Sequence, residues 1–128
     1  MEKKLLIIGG IVNILLGIFH LLFWELFNWS VVLECIPAIT RGAVIEINIT
    51  LSMAVFIFGY ISIFHHREML ETKIGRTMLL SISLLYFVRA ATGAIFFPFN
   101  LPRSFLDASL ITVVGLLYLI PFLRSMKR

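Results

Sequence analysis

Residues 5–27 read LLIIGGIVNILLGIFHLLFWELF. An apolar run of this length matches the ~20 residues that carry a helix across the hydrocarbon core of a bilayer. Working outward, three more such runs follow, Gly42 to Phe64, Met78 to Phe97 and Ser104 to Leu123. The chain of 128 residues is 60% hydrophobic and 14% charged, with a mean hydropathy of +1.03. A soluble domain carries ~25% charged residues, so these values exclude one. The expected fold is an all-α membrane protein, an antiparallel four-transmembrane-helix bundle forming one domain over residues 1–128. The N-terminal run imitates a secretory signal, but it exceeds an h-region of ~7–15 residues and no small-x-small site follows it. It reads as a retained first span.

The net charge of +4 does not mark a nucleic-acid binder. The basic residues sit at span ends, and no basic stripe with aromatic stacking platforms is present. Lys3 and Lys4 precede span 1, Arg67, Lys73 and Arg76 lie between spans 2 and 3, and Arg124, Lys127 and Arg128 follow span 4. The other side has only Arg41 and Arg103. The positive-inside rule therefore predicts a multi-pass cell-membrane protein with both termini and the 65–75 connection cytoplasmic.

That connection, HHREMLETK from His65, reads as a short polar turn. The outer link from Asn28 to Thr40 holds Trp29, Val31, Val32, Leu33, Ile36 and Pro37, too apolar for a free loop. It is expected to lie in the interface or to fold back as a lid. In the second outer link, 97–103, Pro98 and Pro102 stiffen a chain whose aromatics suit the headgroup layer. Ser104 is expected to cap span 4, with Asp107 three residues on. Cys35 is the one cysteine, so no internal disulfide, redox pair or cysteine-based zinc site exists. It reads as a small inert hydrophobe.

Polar and small residues fall in stripes at helical spacing. Span 1 carries Gly10, Asn13, Gly17, His20 and Trp24; span 2 carries Arg41, Asn48, Ser52, Gly59, Ser62 and His66, flanked by Glu46. Span 3 aligns Ser83, Tyr86, Arg89 and Gly93, and span 4 aligns Asp107, Ile111, Val114, Tyr118 and Pro121. At 1.5 Å per residue, His20 lies ~9 Å and Arg89 ~12 Å from the outer ends of their spans. Glu46 and Asn48 lie ~6–9 Å, and Asp107 ~5 Å, inside theirs. These groups converge on the outer half of the bundle and predict a polar pocket there.

An intramembrane charge marks a site by default. Arg89 keeps its charge and is the expected holder of an acidic or carbonyl-bearing head, with Glu46 or Asp107 as its alternative ion-pair partner. Glu46 and His20 are the candidate acid–base pair. Asn48, Tyr86, Asn13, Asp107 and Trp24 complete the candidate ligand-binding set, against the simpler reading of interhelical hydrogen bonds and interfacial anchors. His65 and His66 are far from His20, so no metal set forms, and no cofactor is expected. No phosphate loop, nucleophile elbow or dinucleotide fingerprint occurs. The leading expectation is a protein that binds a small lipophilic molecule with a polar or acidic head, and transforms it by proton transfer such as isomerisation or cyclisation. The alternatives are a small oligomeric transporter or channel subunit, and an accessory subunit of a larger membrane complex whose stripe would face outward.

Overall fold

The structure is a computed structural model; it describes the backbone of residues 1–96 and 102–127 and the side chains of 1–96 and 106–127. Its helices are α1 (Glu2–Leu21), α2 (Phe23–Leu26), α3 (Trp29–Val32), α4 (Ala38–Phe64), α5 (His66–Glu71), α6 (Lys73–Phe96) and α7 (Pro102–Ser125), with a 3₁₀ turn at Leu33–Cys35. No strand occurs among the described residues. Four of these helices, α1, α4, α6 and α7, are long and apolar enough to cross a membrane.

The helix limits differ from the apolar runs where local chemistry intervenes. The first run is interrupted at Leu22, so α1 stops one residue after His20. Asn28 takes the left-handed conformation (φ 48°), which reverses the chain between α2 and α3; asparagine tolerates this better than most residues. Pro37 has φ −53° and extended ψ, and α4 begins directly after it, a turn earlier than the apolar run. Asn48 is therefore roughly 15 Å from the start of α4, deeper than the sequence count placed it. Thr72 accepts the Gly75 N–H at 2.9 Å and so caps α6 five residues before Met78. α7 starts at Pro102, a residue type suited to a first helical turn, so Ser104 lies inside the helix rather than capping it. The 97–101 link falls outside the described residues.

The 65–75 connection is not the simple polar turn expected. It contains α5, and Met69 on that helix is 1% exposed within the core. Glycine makes the return to α6 feasible: a Cβ on Gly75 would stand 2.1 Å from the Glu68 carbonyl oxygen.

α1 packs along α4, α6 along α7, and α1 against α7 joins the two pairs. Both pairs run antiparallel. Gly10 meets Gly59 and Ile63 while Gly17 meets Phe56, and Ser83 donates to the Gly115 carbonyl while Arg76 donates to that of Ser125. Arg124 lies 4.0 Å from Glu2, so the two chain ends and the 65–75 connection gather at one end. α4 and α6 are not packed along one another, and an apolar groove of about 480 Å³ lies where Phe58 approaches Ile82 and Leu85.

The distribution of polarity is inverted relative to a water-soluble fold. Asn13, Ser62 and Ser83 are 0% exposed, while Ile39, Ile74 and Ile95 are 89%, 82% and 73% exposed. A surface this apolar is suited to lipid. The expected stripes face inward: Gly10, Asn13, Gly17 and His20 on α1, Ser52, Gly59 and Ser62 on α4, and Ser83 and Tyr86 on α6 are all buried. Cys35 is free and exposed.

The close approach of α1 and α4 yields a test. A Cβ on Gly59 would lie 2.9 Å from the Gly10 carbonyl oxygen, whereas one on Gly42 meets nothing within 4 Å. Gly59→Ala should destabilise the fold by about 1–3 kcal/mol, as overpacking does. Gly42→Ala, in the same helix, should be neutral or stabilise by up to about 1 kcal/mol. Thermal unfolding of the two variants in neutral detergent checks the contrast.

Candidate functional site

Two polar assemblies lie on the inner face of the bundle, and they differ in whether their hydrogen-bonding capacity is used up. The first is a closed network at mid-span. Tyr86 of α6 donates to Asn13 Oδ1 of α1. Asn13 Nδ2 donates to the Gly9 carbonyl at 2.9 Å and to the Tyr118 hydroxyl of α7 at 2.6 Å. Tyr118 and Ser62 of α4 are 2.9 Å apart, and Ser62 donates to the Phe58 carbonyl at 2.6 Å. Because the Ser62 proton is committed to that carbonyl, Tyr118 must donate to Ser62. Protons therefore run one way, from Tyr86 through Asn13, Tyr118 and Ser62 to the backbone of α4. The Tyr86 and Tyr118 rings stack at 14° with centroids 6.5 Å apart. All four spanning helices contribute, and no buried side-chain nitrogen or oxygen among the described residues lacks a partner.

The second assembly is open. His20, at the end of α1, and Asn48 of α4 form a reciprocal pair: Asn48 Nδ2 donates to the His20 carbonyl at 2.8 Å, and Asn48 Oδ1 lies 2.9 Å from His20 Nδ1. A carbonyl can only accept, which orients the amide, and its oxygen then requires a proton on Nδ1. The neutral ring is thereby fixed as the Nδ1–H tautomer. Nε2 has no hydrogen-bond partner among the described residues, yet no such atom among them is buried without one, so Nε2 is reachable from the surface.

His20 forms part of the wall of a cavity of about 760 Å³ between the C-terminal ends of α1 and α6, the start of α7 and the α2–α3 segment. The wall is mainly aromatic. Phe23 packs edge-on against Phe19, Phe27 and Trp29 at centroid distances of 5.0, 4.8 and 5.5 Å, and lies 4.6 Å from the His20 ring. Arg89 and Asp107 line the same cavity. The Arg89 guanidinium makes no hydrogen bond or ion pair with any described residue; the ion pairs involve Met1, Glu2, His65, Arg67, Glu68, Glu71 and Arg124, at the opposite end. Since Arg89 is only half-buried and has no buried orphan nitrogen, its guanidinium is also accessible.

The sequence candidates thus separate. His20, Arg89 and Asp107 share the cavity, and Asn48 positions His20 from behind. Tyr86 and Asn13 are outside the cavity lining and belong to the closed network, where their polar groups are engaged. Glu46 is exposed on α4 and does not line the cavity, so the expected pairing with Arg89 is not made. The cavity takes Trp29 in place of Trp24, which is 46% exposed. The reason is the break at Leu22, which takes Trp24 off the register of the α1 stripe. The sequence places Tyr118 only in the span 4 stripe; its hydroxyl is the junction of the network, and the one signal for this is a tyrosine within an otherwise apolar stretch. A subunit docking a partner through its polar stripe would turn Asn13, His20 and Arg89 outward; Asn13 and His20 are 0% and 5% exposed, and Arg89 is half-buried.

Two measurements probe these assemblies. Tyr86→Phe and Tyr118→Phe should each cost about 1–2 kcal/mol in detergent unfolding, as strong interhelical hydrogen bonds do. Because both act on Asn13, the double variant should lose less than the sum. For the open assembly, ¹⁵N NMR of His20 should show a single Nδ1–H tautomer, and Asn48→Leu should convert it to a mixture. No family model, curated protein or solved structure matches this chain.

Proposed function

We propose that this chain is a multi-pass membrane protein, an antiparallel four-helix bundle with its termini cytoplasmic and the 23–37 segment at the outer interface. Its outer cavity binds a small lipophilic molecule through a polar or acidic head. The observation that carries this reading is Arg89: a permanent cation on the wall of a largely aromatic cavity, with no anion on it from the described residues. A guanidinium offers five donors and no acceptor, and charge in such a place is costly unless paired. A carboxylate or phosphate satisfies it through two parallel bonds. The aromatic walls suit the apolar remainder of the molecule.

Proton transfer at this site falls to His20 Nε2 and Asp107, because Glu46 lies elsewhere. That arrangement supports acid–base chemistry on a bound ligand.

Oleate and oleyl alcohol test the reading, since they share a chain and differ in the head. Oleate should stabilise the purified protein in neutral detergent and the alcohol should not. Arg89→Gln should weaken oleate binding about ten-fold or more, the effect of losing a charge-assisted contact. Glu46→Gln should leave it unchanged. Equal stabilisation by acid and alcohol, or an oleate effect indifferent to Arg89, would overturn the proposal.

A further inference from the structure

Arg89 and Asp107 carry opposite charges on the wall of one cavity, on two helices that pack along one another, and they form no ion pair. A cavity for a simple anion gains no affinity from a carboxylate on its wall, because the carboxylate repels the ligand that the arginine attracts. Beside them is His20, whose tautomer is fixed from outside the cavity by Asn48. Its accessible Nε2 is an acceptor in the neutral ring. The wall therefore offers one strong donor pole, Arg89, and two acceptors, Asp107 and His20.

From this we propose that the cavity is a zwitterion site. It takes an amphiphile whose head carries a phosphate or carboxylate and, a few bonds away, a primary ammonium. The inference rests on the reading of the cavity as a ligand site and names the ligand class. The negative oxygens meet Arg89 in the paired geometry that guanidinium favours. A primary ammonium has three N–H donors, enough to serve both Asp107 and His20 Nε2. A trimethylammonium head has the charge but no donor, and a glycerol head has hydroxyl donors but no positive charge. The aromatic surface of Phe23 and Trp29 favours a nearby cation and continues into an apolar wall for the chains. The head is neutral overall and matches a wall whose two formal charges cancel.

The test uses the full chain in neutral detergent with three palmitoyl-oleoyl phospholipids differing only in head: ethanolamine, choline and glycerol. Binding is read by native mass spectrometry and by thermal stabilisation. The ethanolamine lipid should bind about ten-fold tighter than either of the others, the value of one well-placed charged contact. Asp107→Asn should shrink that preference to below about two-fold while the glycerol lipid, held by its phosphate, binds no worse. Should Asp107→Asn fail to fold, Asp107→Ser replaces it, and the wild-type ranking decides alone if both fail. Water-soluble phosphorylethanolamine, added as a competitor, distinguishes the sources of this chemistry. Competition only at millimolar concentration supports a membrane lipid as occupant, and competition at micromolar concentration supports the same site with a water-soluble zwitterion.

Equal binding of the three lipids would overturn the zwitterion site. So would an Asp107→Asn variant that loses all three to the same extent, since that carboxylate would then be serving the fold. If the glycerol lipid binds as well as the ethanolamine lipid and both depend on Arg89, the anion-binding cavity stands and the ammonium pole falls. If neither these lipids nor oleate depends on Arg89, both fall together.

Discussion

The bundle depends on one hydrogen-bonded hub, Asn13. In lipid, a leucine gains nothing by leaving the surrounding chains for a protein interior, so association must come from close packing and from polar groups that need each other. Asn13 is 0% exposed and links α1 to α6 and α7, while Tyr118 extends the link to α4. Each N–H and O–H proton in this chain has one acceptor and each step leaves nothing unpaired. A buried polar network is favourable only when complete, and this one is complete without help from any ligand. It thereby fixes the rotation of each helix about its own axis.

That rotation decides what happens at the end of the bundle away from the chain termini. With Asn13 turned to the hub, His20, seven residues later and thus close to two turns on, falls on the same inward face. With Tyr86 turned to Asn13, Arg89, three residues later, is carried toward the cavity side of α6. The cavity is therefore a consequence of the network in register, although none of the network's polar groups lines it. The two assemblies divide the polar residues of the bundle. Those at mid-span have their bonds filled, and His20, Arg89 and Asp107, at the end away from the chain termini, line a space between helices.

The opposite end is closed by different means. α5 returns the chain with Met69 in the core, Gly75 allows the backbones to touch, and Arg76 reaches the last turn of α7. Ion pairs of Arg67 with Glu71, on largely exposed side chains, and of Arg124 with Glu2, at a long 4.0 Å, lie there as well. Such pairs contribute little to stability; glycine contacts and the buried methionine supply the packing. The two ends of the bundle thus differ, one sealed and basic and the other hollow and aromatic.

Much of this was legible in the sequence. Four apolar runs of membrane length, stripes of glycine, serine and asparagine at helical spacing, and Arg89, His20 and Asp107 at similar depth all follow from composition and a 3.6-residue period, because lipid imposes helices and helices impose the period. What sequence could not decide was which inward residues meet each other. By depth alone Glu46 was as good a cavity companion for Arg89 as Asp107, and Tyr86 as good a cavity residue as Trp29. Choosing between them requires the order in which helices neighbour one another, and here α4 packs on α1 rather than along α6. It also requires the breaks at Leu22 and Pro37, which shift Trp24 and Asn48 relative to an uninterrupted helix. Period and depth are properties of a single helix; contact between helices is set by packing among all four, and only the tertiary structure contains it.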